Sequence, residues 1–123
     1  FPSARVVGLD IDPSHFEDNL PSLEKLGAFR RNRPEVYPYD QLVPADGAVR
    51  DIVGGEGIDI CMDDGLHSVE SILVTMESVR PFLSKNFVYF VEDNDEVHSE
   101  MRERYPDWRV DNFGQMTVVR PSA

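Results

Sequence analysis

Cysteine and basic residues are scarce in this sequence, and long apolar runs are absent. The 123 residues include one cysteine, Cys61, so no disulfide framework can form and a reducing, cytoplasmic setting is expected. Only 12 basic side chains stand against 23 acidic ones, a formal charge of -11. This balance argues against nucleic acid or an anionic membrane as a partner and favours a cation or a neutral small molecule. No apolar run approaches the ~20 residues of a membrane-spanning helix.

The sequence also has no methionine at its first position and no visible signal peptide. It begins at Phe1 directly before a predicted strand, so we expect that a segment is missing upstream. Its length predicts one domain, residues 1–123, large enough to bury roughly two-thirds of the unfolded surface. An apolar fraction of 41% and a charged fraction of 28% are typical of a soluble globular protein.

An apolar run that breaks off into acidic residues occurs twice in the chain. Residues 58–62 lead into Asp63 and Asp64, with Gly65 and His67 close behind, and residues 87–91 lead into Glu92 and Asp93. Adjacent carboxylates at the end of a buried strand repel each other and lose hydration, so they do not serve stability. The carboxyl ends of parallel strands open onto the crevice where ligands bind. The two strand ends therefore predict one site.

Strand and helix patterns alternate along most of the chain. Apolar and turn patterns predict strands at 4–10, 35–39, 58–62, 86–91, 108–112 and 115–120, and helices at about 21–29, 46–53, 68–83 and 95–105. Residues 11–14 are predicted as a turn, and Ser68 as a helix N-cap. This order predicts an α/β fold, a Rossmann-like doubly wound and mostly parallel sheet that ends in an antiparallel hairpin.

Four short segments carry a resemblance to a known family. They are Val-Val-Gly-Leu-Asp-Ile-Asp at 6–12, Tyr-Asp-Gln at 39–41, Asp-Asp-Gly-Leu-His at 63–67 and Val-Glu-Asp at 91–93. With them the chain resembles the class I S-adenosylmethionine-dependent methyltransferases, most closely the metal-dependent macrolide sugar O-methyltransferases of the mycinamicin and macrocin type. The segments correspond to the family's second to fifth strands.

The family's first strand and glycine-rich turn have no counterpart here. The resemblance therefore implies a fold that lacks the first βα unit, and a single methyltransferase-like catalytic domain that is a C-terminal fragment of a longer enzyme. It also implies S-adenosyl-L-methionine as the cofactor.

Four residues are predicted to lie on the cofactor side of the site. Asp10 ends a strand where a carboxylate can accept both ribose hydroxyls of an adenosine ligand, although Asp12 could take this role instead. By resemblance, Asp40 would contact the adenine amino group with Gln41 beside it, and a plain turn at Asp40 is the alternative. Asp63 completes the set, with a supporting or helix-capping role as the alternative.

Three carboxylates are predicted metal ligands, and one histidine a general base. Asp64, Glu92 and Asp93 offer hard oxygen atoms that suit Mg2+ or Mn2+ and suit zinc poorly; the resemblance implies the same three ligands. His67, three residues after Asp64, could take the proton of an acceptor hydroxyl. A histidine at a helix start is also often a simple surface residue.

These assignments predict metal-assisted methyl transfer to a hydroxyl of a sugar or another small natural-product acceptor. One alternative is a haloacid-dehalogenase-type phosphatase with Asp10 as nucleophile and Asp12 as acid, although Pro13 and Ser14 replace the usual glycine and threonine. Another is a non-catalytic, methyltransferase-like subunit of an assembly. Self-association into a homo-oligomer is left open.

Overall fold

The computed structural model describes residues 3–122. The strands are β1 (Val7–Asp10), β2 (Glu35–Pro38), β3 (Ile58–Asp63), β4 (Leu83–Val91), β5 (Trp108–Phe113) and β6 (Met116–Pro121). The helices are α1 (Ser14–Lys25), α2 (Asp46–Val53), α3 (Val69–Val79) and α4 (Val97–Arg104), with a short 3-10 turn at Arg80–Phe82. The chain divides into two compact units, Phe1–Asp40 and Gln41–Ala123. Its organisation as one catalytic domain stays a prediction.

The first unit contains a two-stranded parallel sheet. Strand β1 pairs with β2 in register from Val7 and Glu35 onward, and helix α1 connects the two strands. Arg5 donates two hydrogen bonds of 2.8 Å to the carboxylate of Glu35. This guanidinium lowers the pKa of Glu35 to about 2, so the pair stays charged at neutral pH.

Helix α1 begins seven residues earlier than the sequence predicted. Its first residue, Ser14, donates its N–H to Oδ1 of Asp12, and Pro21 lies inside the helix instead of at its start. The helix ends near Gly27, which has the positive φ typical of glycine after a helix. The prediction of residues 21–29 was wrong because it read Pro21 as a helix start, a position that proline favours, whereas the helix continues through Pro21 from Ser14.

The second unit contains a four-stranded mixed sheet in the order β3-β4-β6-β5. Strands β3 and β4 are parallel, whereas β6 is antiparallel to both β4 and β5. The α/β class and the closing hairpin are therefore confirmed. The described strands form two sheets instead of the single sheet predicted. Two of their pairings are parallel and two are antiparallel, because β6, the second strand of the hairpin, lies beside β4.

The core of the second unit combines α3 and α4 with alternate residues of the sheet. Its fully buried apolar side chains include Ile72, Met76, Tyr89, Val91, Val97, Met101 and Val119. Ser68 accepts the N–H of Ser71 and caps α3 as predicted. Strand β3 is covered on one face only, since Ile60 and Met62 are 56% and 60% exposed. Within residues 3–122, no helix combines the length and apolar character needed to cross a bilayer.

Cys61 provides a test of the covered face of β3. Burial, with a contribution from the nearby Asp63 carboxylate, raises the pKa of the thiol to about 12. The thiolate is the reactive form, so we expect iodoacetamide at pH 8 to modify the native protein at least about 100-fold more slowly than free cysteine. Mass spectrometry would measure the rate, with urea-unfolded protein as the control. Modification of the native protein at the free-cysteine rate would contradict this burial.

Candidate functional site

The two acidic strand ends lie side by side at one edge of the second unit's sheet. Strands β3 and β4 are parallel neighbours whose last residues, Asp63 and Val91, are partners in register. The N–H of Glu92 continues this pairing and donates to the carbonyl of Asp63 at 2.9 Å. The segments that follow both strands therefore start from the same place, as the sequence predicted.

Asp64, His67 and Asp93 come together beyond these strand ends. Each offers one ligand atom, and the three atoms all lie within 4.8 Å of one another. We call these three residues the Asp–His–Asp cluster. The two carboxylates are exposed and the imidazole is half-buried. Among the described residues, Nδ1 of His67 is a buried atom without a hydrogen-bond partner.

The donor set of this cluster fits a divalent cation. Two carboxylates are the usual protein contribution to a Mg2+ site, in which water molecules complete the coordination. An imidazole beside them also suits transition metals such as Mn2+. Glu92, the third predicted ligand, is not a member of the cluster, because successive side chains at a strand end point in different directions. Its role as a ligand stays a prediction.

Two members of the cluster have an unusual backbone conformation. His67 and Asp93 have φ values of 59° and 53°, in the left-handed region that residues other than glycine rarely adopt. This conformation costs on the order of 1 kcal/mol per residue and persists where surrounding contacts impose it. The directions of these two side chains therefore depend on the contacts that hold their backbone.

Gln41 and Asp63 bind each other inside the protein. The Gln41 amide donates to Oδ1 of Asp63 at 2.7 Å and to the Thr75 hydroxyl at 3.1 Å. Its Oε1 accepts the N–H of Leu66 at 2.7 Å, and Tyr89 donates its hydroxyl to the other oxygen of Asp63 at 3.0 Å. Asp63 is only 4% exposed. These bonds favour internal roles over the cofactor contacts predicted for Gln41 and Asp63, because the relevant polar atoms already have protein partners.

Asn94, which the sequence analysis did not single out, connects the two strand ends. Its Nδ2 donates to the carbonyl of His67 at 2.8 Å, and its Oδ1 accepts the N–H groups of Glu96 and Val97 at the start of helix α4. Its own N–H donates to the carbonyl of Gln115. Asn94 is 9% exposed. The motif Glu-Asp-Asn was visible in the sequence, but an asparagine after a strand is also common in plain turns.

The remaining predicted cofactor residues, Asp10 and Asp40, belong to the first unit. Asp10 ends β1, is exposed, and accepts the N–H of Asp12 at 2.8 Å in a tight turn. Asp40 is also exposed and follows β2. Hydrogen bonds from Ser14 lower the pKa of Asp12. The adenosine contacts assigned to Asp10 and Asp40 stay predictions.

A cavity of about 200 Å³ opens beside the cluster in the second unit. Its lining residues are Glu92, Asp93, Phe113, Gln115 and Met116. Phe113 is 68% exposed, an unusual state for a large aromatic ring, and Met116 is 37% exposed. The hairpin between β5 and β6 thus presents apolar surface next to a carboxylate of the cluster. The sequence did not predict this apolar surface, because the hairpin reaches the cluster only through the pairing of β6 with β4.

Comparison with solved structures relates this fold to methyltransferases. The MycE methyltransferase from the mycinamycin biosynthetic pathway, solved in complex with Mg and SAH, matches with a TM-score of 0.69 over 99% of this chain at 17% identity. A methyltransferase from Geobacter sulfurreducens matches with a TM-score of 0.59 over 98% of the chain at 22% identity. No protein-family model and no curated protein sequence matches the chain.

The chain spans only part of these solved structures, 38% of the MycE chain and 60% of the Geobacter chain. At such low identity the match concerns the fold. The resemblance inferred from the sequence is confirmed at that level, since the chain shares the Rossmann-like α/β fold of these two solved methyltransferases.

Proposed function

We propose that this chain is the metal-binding and catalytic part of an S-adenosylmethionine-dependent O-methyltransferase. The convergence of Asp64, His67 and Asp93 at the ends of two parallel strands carries the proposal. A methyltransferase-like fold supports it, as does the Mg and SAH in the MycE structure. A cytoplasmic location and natural-product biosynthesis remain parts of the same hypothesis.

The two carboxylates of the cluster would hold Mg2+ or Mn2+, with Glu92 as a further candidate ligand. When bound, the cation would fix an acceptor oxygen and lower the pKa of its hydroxyl, and the sulfonium cofactor would supply the methyl group. A ring nitrogen of His67 would accept the proton that the hydroxyl loses as its oxygen bonds to the methyl carbon. Asp10 and Asp40 would bind the ribose and the adenine.

The acceptor would be a small molecule with both a hydroxyl group and apolar surface. The cavity beside the cluster supports this class, because Phe113 and Met116 offer apolar contacts next to Asp93. A sugar ring fits this description, since its C–H faces pack on aromatic rings while its hydroxyls point to polar groups. The negative charge of the chain disfavours phosphorylated acceptors.

Isothermal titration of the full-length gene product with S-adenosylhomocysteine, with and without Mg2+, tests this function. We expect binding in both conditions, and Asp64→Ala and His67→Ala should abolish methyl transfer while cofactor affinity changes little. Absence of binding in both conditions would reject the methyltransferase proposal. Hydrolysis of a generic phosphate ester would favour the phosphatase alternative, and cofactor binding without any transfer would favour a non-catalytic subunit.

A further inference from the structure

We propose that the side-chain amides of Gln41 and Asn94 are positioning residues that together hold the Asp–His–Asp cluster in its geometry. We call this pair the amide clamp. The inference rests on the proposed function, because it concerns how the metal-binding groups of that site are kept in place. In this inference neither amide contacts the cation, the cofactor or the acceptor, so Gln41 has a different role from the cofactor contact predicted for it from the sequence.

Gln41 holds the segment that carries two of the three cluster residues. Leu66, whose N–H binds Oε1 of Gln41 at 2.7 Å, lies between Asp64 and His67 in the chain. The other end of the amide is anchored on Asp63 and Thr75, which belong to β3 and α3. A backbone group in an exposed segment is thus tied to the buried part of the sheet and to a neighbouring helix.

Asn94 holds the other side of the cluster. It follows Asp93 directly, and its Nδ2 donates to the carbonyl of His67 at 2.8 Å. This bond links the residue next to Asp93 to the backbone of His67, and these are the two cluster residues that have positive φ values. The Oδ1 atom of Asn94 is fixed at the start of α4 by two N–H groups, so the side chain has one defined orientation.

The clamp addresses a physical difficulty of the cluster. Ligand oxygens of Asp64 and Asp93 lie within 4.8 Å of each other, so the two carboxylates repel before a cation binds. In addition, His67 and Asp93 have the costly left-handed backbone conformation. Hydrogen bonds from neutral amides resist both effects without adding charge. A preorganised set of ligands loses less conformational entropy when the cation binds, so its affinity is higher.

Asn94→Asp removes one arm of the clamp and adds a negative charge next to Asp93, which by itself would favour cation binding. An aspartate has nearly the same shape and keeps the oxygen that accepts from Glu96 and Val97, but it cannot donate to His67. Asn19→Asp is the matched control, because Asn19 also donates to a backbone carbonyl at 2.8 Å and receives the same added charge, in helix α1 of the first unit. Gln41→Met removes the other arm at similar side-chain volume.

Mn2+ binding to the full-length protein, followed by the paramagnetic resonance signal of free Mn2+, tests the proposal. We expect Asn94→Asp and Gln41→Met to weaken binding at least tenfold and Asn19→Asp to match the wild type. Circular dichroism would monitor folding of each variant. Wild-type affinity in Gln41→Met, which adds no charge, would overturn the clamp and leave the proposed function intact.

If the wild-type protein binds no Mn2+, the metal part of the proposed function fails. Hydrogen exchange in the metal-free protein then tests whether the amide clamp holds the segment that contains Leu66. The N–H of Leu66 should then exchange at least tenfold faster in Asn94→Asp than in the wild type, because loss of one arm loosens the segment that the other arm holds. An unchanged exchange rate would overturn the clamp.

Discussion

Gly65→Ala is expected to destabilise the second unit by about 2 kcal/mol and to weaken Mn2+ binding at least tenfold. A Cβ atom at this position would overlap the Gln41 amide, lying 2.9 Å from its Nε2 and closer still to Oε1. The amide is the end of a flexible side chain, so it can move away, but it then loses its bonds to Asp63, Thr75 and Leu66. Urea unfolding monitored by circular dichroism would measure the loss.

Gly47→Ala is the matched control for this substitution. Gly47 lies in α2, where an added Cβ would meet no atom within 4 Å among the described residues. Alanine is favoured over glycine in a helix, so this variant should be as stable as the wild type or more stable by up to about 1 kcal/mol. Equal behaviour of the two alanine variants would show that the Gln41 amide does not lie against Gly65.

Asp63→Ala is expected to lower the free energy of unfolding by about 3 kcal/mol. Asp63 is the common acceptor of the Gln41 amide and of the Tyr89 hydroxyl, and Tyr89 is fully buried. Removal of the carboxylate takes away an acceptor that both donors share in a region that water reaches poorly, although the Gln41 amide keeps its bond to Thr75. Asp63→Asn keeps one acceptor oxygen, so we expect a smaller loss. Urea unfolding of the three proteins would give the ranking.

Asp59→Ala offers a control within the same strand. Asp59 belongs to β3, four residues before Asp63, but its side chain is exposed. An exposed substitution of this kind usually changes stability by less than about 0.5 kcal/mol. A loss at Asp63 no larger than the loss at Asp59 would contradict the buried network and, with it, the anchoring of Gln41.

Much of the fold and the position of the site follow from local patterns. The apolar period of residues 68–83 and the cap at Ser68 correctly predicted α3, although the helix ends at Val79. The two apolar runs with acidic ends correctly predicted neighbouring parallel strands whose tips converge. Helix α1 was misplaced because one proline was read as a helix start.

From the sequence alone one can place Asp64 and Asp93 near each other, because parallel strands bring their carboxyl ends to one edge and the pattern reports strand ends directly. The histidine of the same motif, His67, was likewise expected beside them, and the structure brings it into the cluster. Only the tertiary structure showed that Gln41 and Asp63 bind each other. Side-chain direction after a strand depends on φ at single residues. The left-handed values at His67 and Asp93 occur together with a long-range bond, from Asn94 to the His67 carbonyl, which no local pattern encodes.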